Sequence, residues 1–313
     1  MELTGHDVDL FERSRGRLEA IAYRMLGSAG DAEDAVQDTF LRWQAADRAR
    51  VEAPEAWLTT VLTRVCLNQL TSARARRETY VGEWLPEPVL AGDRMLGPAE
   101  SAEQRESVTL AVLTLMERLS PHERAVYVLR EAFGYPHAEI ARMLELTESN
   151  CQQIFRRARA HVVTGRAHAD IDAATAGKLA DEFLTAALSG DVEPLVALLT
   201  GDAVSIADGG GRVPARRTPI VGALHIARFL RGLFRSTAAA RWSDGGWVLH
   251  AGVVNGDPAL LLVVGDRVDG VLSLDVTTDG VAALHIQVNP AKLDRVTRRW
   301  AASEHGEPLL RGR

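Results

Sequence analysis

The 313-residue sequence is poor in the features that set a protein apart from ordinary globular chains. Its two cysteines, Cys66 and Cys151, lie far apart, match no metal-ligand spacing and are too few for a disulfide framework, which fits a reducing compartment and no metal. No run approaches the roughly 18–20 apolar residues that cross a bilayer. The stretch Met1–Phe11 carries acidic residues where a secretory signal begins basic; the expected location is the cytoplasm, with no membrane partner. Positive charge is also short. With 36 Lys and Arg against 42 Asp and Glu, the formal charge is −6, so any nucleic-acid site has to be a local basic patch. Aromatic residues make up only 5%, and all four tyrosines, Tyr23, Tyr80, Tyr127 and Tyr135, fall in the first half of the chain.

What is present, 46% hydrophobic and 25% charged residues, suits two or three domains that each bury a core. From Leu10 to about Ala75, apolar positions recur at three and four residue spacing, with breakers confined to short connections such as Gly27–Gly30 and Pro54; this reads as a helical domain. Between Val81 and Pro98 the sequence GEWLPEPVLAGDRMLGP has no helical period and reads as a linker. Helical spacing returns from Ala102 to His161. Beyond Ala167, Leu179, Phe183, Ala187 and Leu188 form one helical stripe, and Leu224, Phe229, Leu230 and Leu233 another. Residues Trp247 to Val288 read as strands, divided by turns at Asn255-Gly256-Asp257-Pro258, Gly265-Asp266 and Asp279-Gly280. Expected boundaries are 1–80, a linker at 81–101, 102–166 and 167–313. The fold class is two all-α domains followed by an α+β domain with an antiparallel sheet.

The segment Pro121–Ala160 carries the clearest local pattern. Ser120 and Pro121 look like an N-cap followed by N1. Pro136 opens a short helix with Ile140, Ala141 and Leu144 inward, Glu145-Leu146-Thr147 make a tight turn, and Thr147 caps a second helix. This is a helix-turn-helix. Its second helix buries Cys151, Ile154, Phe155 and Ala158, leaving Glu148, Ser149, Asn150, Gln152, Gln153, Arg156 and Arg157 outward. Amides pair with adenine edges and arginines with guanine or phosphate, so this face suits a major groove; a solvated face on an ordinary helical hairpin is the alternative. Glu145 occupies the slot where glycine best tolerates a left-handed backbone.

Leu119–His161 resembles region 4 of the extracytoplasmic-function sigma factors, and DAEDAVQDTFLRW, Asp31–Trp43, resembles the signature helix of their region 2. With Ala32, Val36 and Phe40 inward, that helix presents an acidic face. The resemblance implies that Asp31, Asp34, Gln37 and Asp38 dock on core RNA polymerase. EAWLTTVLTRVCLNQLTSARARR, Glu55–Arg77, resembles the helix that opens the promoter −10 element. Arg48 and Arg50 in the preceding loop, Arg64 and Asn68 one turn apart, and the cluster Arg74, Arg76 and Arg77 are the promoter DNA contacts it implies, the cluster through phosphates. Trp43 and Trp57 are read as core.

The tail resembles the SnoaL-like, NTF2-like fold, a curved sheet wrapped by helices. Trp84-Leu85-Pro86-Glu87-Pro88, Asp208-Gly209-Gly210-Gly211-Arg212 and Asn289-Pro290-Ala291-Lys292-Leu293 narrow the resemblance to sigma factors with a fused SnoaL-like domain, over Leu10 to about Trp300. It implies promoter-specific initiation modulated by the chain's own tail. The tail is expected to pack on the linker through Trp84, Pro86 and Pro88 on one side and Asp208, Gly210, Arg212, Asn289, Pro290, Lys292 and Leu293 on the other. Such a built-in regulator makes a separate anti-sigma factor unnecessary. Enzymes of this fold use a carboxylate base with a tyrosine or a protonated acid. The tail contains no tyrosine, and Asp275 and His285 form no identifiable acid–base pair, so neither catalysis nor a cofactor is expected. The other function weighed is a ligand-binding or catalytic SnoaL-like protein that carries a DNA-binding module.

Overall fold

Thr4 accepts from the backbone of Asp7 while Asp7 bonds back to Thr4, a capping box that starts α1 (Gly5–Leu26). Gly27, at φ 69, ends it in the left-handed conformation glycine tolerates best. Ser28 caps α2 (Ala29–Ala45), and α3 (Pro54–Glu78) follows a single 3-10 turn. Phe11, Leu18 and Met25 of α1, Ala32, Val36 and Trp43 of α2, and Leu58, Leu62 and Val65 of α3 are buried. Each larger side chain contributes about 1.5–3 kcal/mol on burial. The computed structural model describes residues 4–78, 80–97, 104, 106–164, 173–234 and 246–312, without the side chains of 73–78, 164 and 173.

Two compact units divide the chain, 1–79 with 92–166, and 80–91 with 167–313. The first unit adds α4 (Leu110–Met116), α5 (Pro121–Tyr127), a π turn at Val128–Ala132, α6 (His137–Leu144) and α7 (Glu148–Thr164). Ser120 and Glu123 form a second capping box at α5. Arg24 is buried and donates to Ser107 Oγ at 2.9 Å and to the carbonyls of Leu96 at 2.7 Å and Gln104 at 3.1 Å. Arg124, also buried, donates to the Arg24 carbonyl and pairs with Glu117.

The second unit holds α8 (Ala173–Ser189), α9 (Val192–Leu198), β1 (Leu199–Asp208), β2 (Ile220–Val221), α10 (Ala223–Phe234), β3 (Trp247–Val254), β4 (Asp257–Val264), β5 (Arg267–Thr277), β6 (Gly280–Gln287), α11 (Asp294–Ala301) and β7 (Leu310–Gly312). The strand order is β2-β1-β6-β5-β4-β3-β7. The expected antiparallel sheet is therefore corrected to a mixed one, because β1 pairs with β6 in parallel. The long excursion between these two strands supplies the crossover that parallel pairing needs. The helices pack on the sheet through Phe183, Ala187, Ile226, Leu230, Leu274 and Leu284. Leu224, expected in the α10 stripe, is exposed, and Ile226 takes the inward place.

The segment expected as a linker at 81–101 divides between the two units. Residues 80–91 fold with the tail, and the turn at Arg94–Leu96 folds with the first unit, where Met95 is buried and Arg94 pairs with Glu19.

Candidate nucleic-acid interface and linker-docking site

On α2, Ala32 and Val36 are buried, Phe40 is half-buried against Phe11, and Asp34, Gln37 and Asp38 are exposed. Asp31 is half-exposed in the first turn, its amide bonded to Ser28 Oγ at 3.2 Å. Leu41 is 51% exposed and stands at the i+3, i+4 and i+7 positions from Asp38, Gln37 and Asp34, which puts it on the same face. Treating apolar residues as core conceals it in the sequence. The only signal is its offset from the buried stripe.

In the loop after α2, the Arg48 guanidinium is buried, donates to the carbonyls of Trp43 at 3.2 Å and Gln44 at 2.9 Å, and lies 3.3 Å from Asp7. It holds the loop against α1 and α2, whereas Arg50 is exposed. Trp43 is buried 5.4 Å from Trp57, as core tryptophans are. Arg64 and Asn68 are exposed one turn apart on α3. Arg64 donates to Glu145 at 2.8 Å and to the Met143 carbonyl at 3.4 Å. Arg74, Arg76 and Arg77 fall on the last turns of α3, and their side chains lie outside the described residues.

The helix-turn-helix is formed by α6 and α7. Glu145 joins them at φ 57 and ψ 41, and Thr147 Oγ1 accepts from the Asn150 amide at 3.2 Å. Cys151, Ile154 and Ala158 are buried. Phe155 is half-buried, 6.4 Å from Tyr127. Glu148, Ser149, Asn150, Gln153, Arg156 and Arg157 are exposed. Gln152 is half-exposed and reaches Glu148 at 3.4 Å. One helix face thus gathers amides and two guanidinium groups.

In the second unit, residues 80–91 lie across the tail as an extended strap. Asp208, fully buried at the end of β1, is its anchor. One carboxylate oxygen accepts from the Tyr80 hydroxyl at 2.6 Å and the Gly210 amide at 2.9 Å. The other accepts from the Leu85 amide at 3.0 Å, Gln287 Nε2 at 3.3 Å and Lys292 Nζ at 2.7 Å. Lys292 also donates to the Leu85 carbonyl at 2.6 Å and sits 4.0 Å from the Trp84 ring centroid. Asn289 donates to the Tyr80 hydroxyl at 2.8 Å. Burial, then the bond to the Asp208 carboxylate, pushes the Tyr80 hydroxyl well above the usual phenol range.

Further along the strap, Asn255 accepts from the Val89 amide at 3.0 Å and returns its own amide to the Val89 carbonyl at 2.9 Å. Pro86 and Pro88 are buried beside Leu85 and Val89, while Trp84 is half-buried. Gly210, at φ 60, lies so close to Asn289 that a β-carbon would collide with it. Arg212 and Pro290 are exposed, and Leu293 is buried. Of the strap's main anchors, Leu85 falls within the Trp84–Pro88 motif, whereas Tyr80 and Asn255 carry no motif that marks them as such in the sequence. Tyr80 folds with the tail, so the tail unit is not free of tyrosine.

Residues 10–76 match the family model for Sigma-70 region 2, and residues 109–162 that for Sigma-70 region 4. The ECF RNA polymerase sigma factor SigJ of Mycobacterium tuberculosis is 33% identical over 98% of this chain and 98% of its own length. The chain belongs to the extracytoplasmic-function sigma factors. The crystal structure of SigJ superposes on this sigma factor with a TM-score of 0.70 at 31% identity, covering 91% of this chain and 97% of that one. The likeness therefore extends through the tail.

Within the tail of this sigma factor, Asp275 is half-buried and His285 buried. Neither lines the cavity that opens between the sheet and α10. Burial alone pushes the His285 imidazole down to about 4. Among the described residues no cluster of His, Cys, Asp and Glu fits a metal ion, and no helix is long and apolar enough to cross a membrane.

Proposed function

We propose that this sigma factor, which directs promoter-specific transcription initiation by RNA polymerase, is governed by its own tail through the strap at 80–91. In this reading the α2 face, with Asp31, Asp34, Gln37, Asp38 and Leu41, docks on core polymerase. Arg50, Arg64, Asn68 and the cluster Arg74, Arg76 and Arg77 hold the −10 element, and the outward face of α7 reads the −35 element. The protein works in the cytoplasm, its tail acts as a regulator without catalysis, and no separate anti-sigma factor is needed. The proposed boundaries are region 2 at 1–80, the linker at 81–101 with the strap at its start, region 4 at 102–166 and the tail at 167–313.

One observation carries the regulatory part. Asp208 gathers five donors, three of them from the tail and two from the strap. Because the strap is the covalent connection between regions 2 and 4, whatever loosens it from the tail changes how freely those regions move apart. Run-off transcription with purified core polymerase and the full chain tests this. Lys292→Ala removes the cation that bridges the Leu85 carbonyl and Asp208. Promoter-dependent output is expected to change by about fivefold or more, the usual span of a coupling free energy. Equal output from both proteins at equal polymerase affinity defeats the regulatory reading.

A further inference from the structure

We infer that the tail cavity binds a small molecule with an apolar body and one anionic group, the anion pairing with Arg216. The cavity has a volume of about 360 Å³, within the roughly 300–1,000 Å³ typical of ligand pockets. Its walls are Trp247, Leu260, Leu272 and Ile286 from the sheet and Phe229 and Leu233 from α10. Arg216 is the only charged residue lining it among the described residues. That guanidinium is exposed and has no ion-pair partner among the described residues. Among the described residues no carboxylate lines the walls, which disfavours a cation. With so few polar partners in the lining, a sugar or nucleotide would lose its hydration without compensation.

A lining glycine strengthens the case. An empty apolar cavity forfeits packing contacts, and a larger side chain at Gly270 would recover them. A β-carbon there meets only ordinary contacts, 3.4 Å from Val288 and 3.6 Å from Leu262, and the backbone is not in the left-handed region. The β4–β5 register shifts beside this position, but its backbone angle does not require glycine. What glycine preserves is the open volume.

The cavity also shares its walls with the strap anchor, residue by residue. Ala207, Ile286 and Val288 line the cavity, while their neighbours Asp208, Gln287 and Asn289 bond to the strap or to its anchor. Strand alternation sends successive side chains to opposite faces, so an occupant pressing on the first set bears on the backbone that carries the second. This consequence rests on the regulatory reading above; binding itself does not.

Isothermal titration of the full chain with decanoate and with 2-naphthoate, and with the neutral counterparts 1-decanol and 2-naphthol, tests the inference. At least one acid is expected to saturate at one molecule per chain. Arg216→Gln should weaken that acid about fivefold, the upper worth of an ion pair at an exposed guanidinium, and leave its alcohol unchanged. Gly270→Leu should abolish both; if that variant fails to fold, Leu233→Trp fills the same space from the helix. No saturable binding by either acid overturns the inference. So does binding that survives a folded, filled cavity, or an equal effect of Arg216→Gln on acid and alcohol. Because binding is read without transcription, its failure leaves the strap reading standing, and an inert Lys292→Ala leaves the ligand standing.

Discussion

Glu145 holds the turn between α6 and α7 at φ 57 and ψ 41, a backbone that a β-carbon makes costly by about 1–2 kcal/mol. Its carboxylate meets Arg64 at 2.8 Å, with both side chains substantially exposed. A pair so wetted is worth at most about 1 kcal/mol. Replacing Glu145 by glycine relieves the backbone and loses the pair, and glycine also costs some unfolded-state entropy. The balance predicts a stability gain of up to about 1 kcal/mol for Glu145→Gly. Urea unfolding monitored by circular dichroism measures it; a lower midpoint than the parent would mean that the Arg64 pair dominates. The same change removes the carboxylate partner of Arg64 and leaves its bond to the Met143 carbonyl, so binding to −10 DNA should not weaken.

His285 gives the second test at this scale. Its folded pKa, about 4, lies below the ordinary value of 6.5 because burial disfavours the imidazolium. As pH falls from 6.5 towards 4, the unfolded chain takes up a proton that the folded chain refuses, and stability is lost across that window. Below 4 both states are protonated and the loss stops growing. The total is roughly 3 kcal/mol, because each pH unit across that window is worth about 1.4 kcal/mol. Comparing urea midpoints at pH 7 and pH 4.5, His285→Leu should lose markedly less stability than the parent. Parallel losses would assign the acid sensitivity to other groups.

At the scale of elements, α2 separates docking from folding. Its buried stripe, Ala32 and Val36, is distinct from its exposed face, Asp34, Gln37, Asp38 and Leu41. Asp34→Lys combined with Asp38→Lys reverses two exposed charges and touches no packing. Thermal stability should stay within about 0.5 kcal/mol of the parent, while affinity for core polymerase should fall at least about tenfold. Fluorescence anisotropy of labelled chain against core polymerase reads the affinity, and unchanged binding would remove this face from the interface.

The helices were legible because their periods and caps are local. Ser120, Thr147 and the inward stripe of α7 stand where spacing put them. The β3–β6 meander was legible from its turns, Asn255-Gly256 above all, whose positive φ values of 54 and 87 are what that dipeptide favours. β1 was not. Its partner β6 lies far along the chain and runs parallel to it, so no hairpin turn announces it. The burial of Arg48 was hidden for a related reason, since a loop arginine gives no sign in sequence of the Trp43 and Gln44 carbonyls that claim it.

For the whole molecule, the decisive feature is the route of the chain between regions 2 and 4. A Pro- and Gly-rich stretch without helical period reads as a spacer, yet its described parts are held. Residues 80–91 are tied to the tail by Asp208, Lys292 and Asn255, and the turn at 94–96 is tied to the first unit by Arg24 and Glu19. Composition reports that such a segment lacks its own secondary structure. It cannot report that distant side chains satisfy its backbone. Leu85 is buried with both its amide and its carbonyl engaged, so the Trp84–Leu85 region should resist chymotrypsin, which cleaves extended, accessible backbone. Lys292→Ala removes one bond to Leu85 and leaves the buried Asp208 carboxylate without its cation, a loss of about 3–5 kcal/mol when such a charge stays dry. Water reaching Asp208 as the strap lifts would reduce that cost. Cleavage between 80 and 91 should then accelerate by about tenfold or more, the effect of roughly 1.4 kcal/mol on a local opening equilibrium, while cleavage within region 2 stays unchanged. Mass spectrometry of the early fragments separates the two. Acceleration everywhere would show global destabilisation, and no acceleration would show that the strap is held without the Asp208–Lys292 pair.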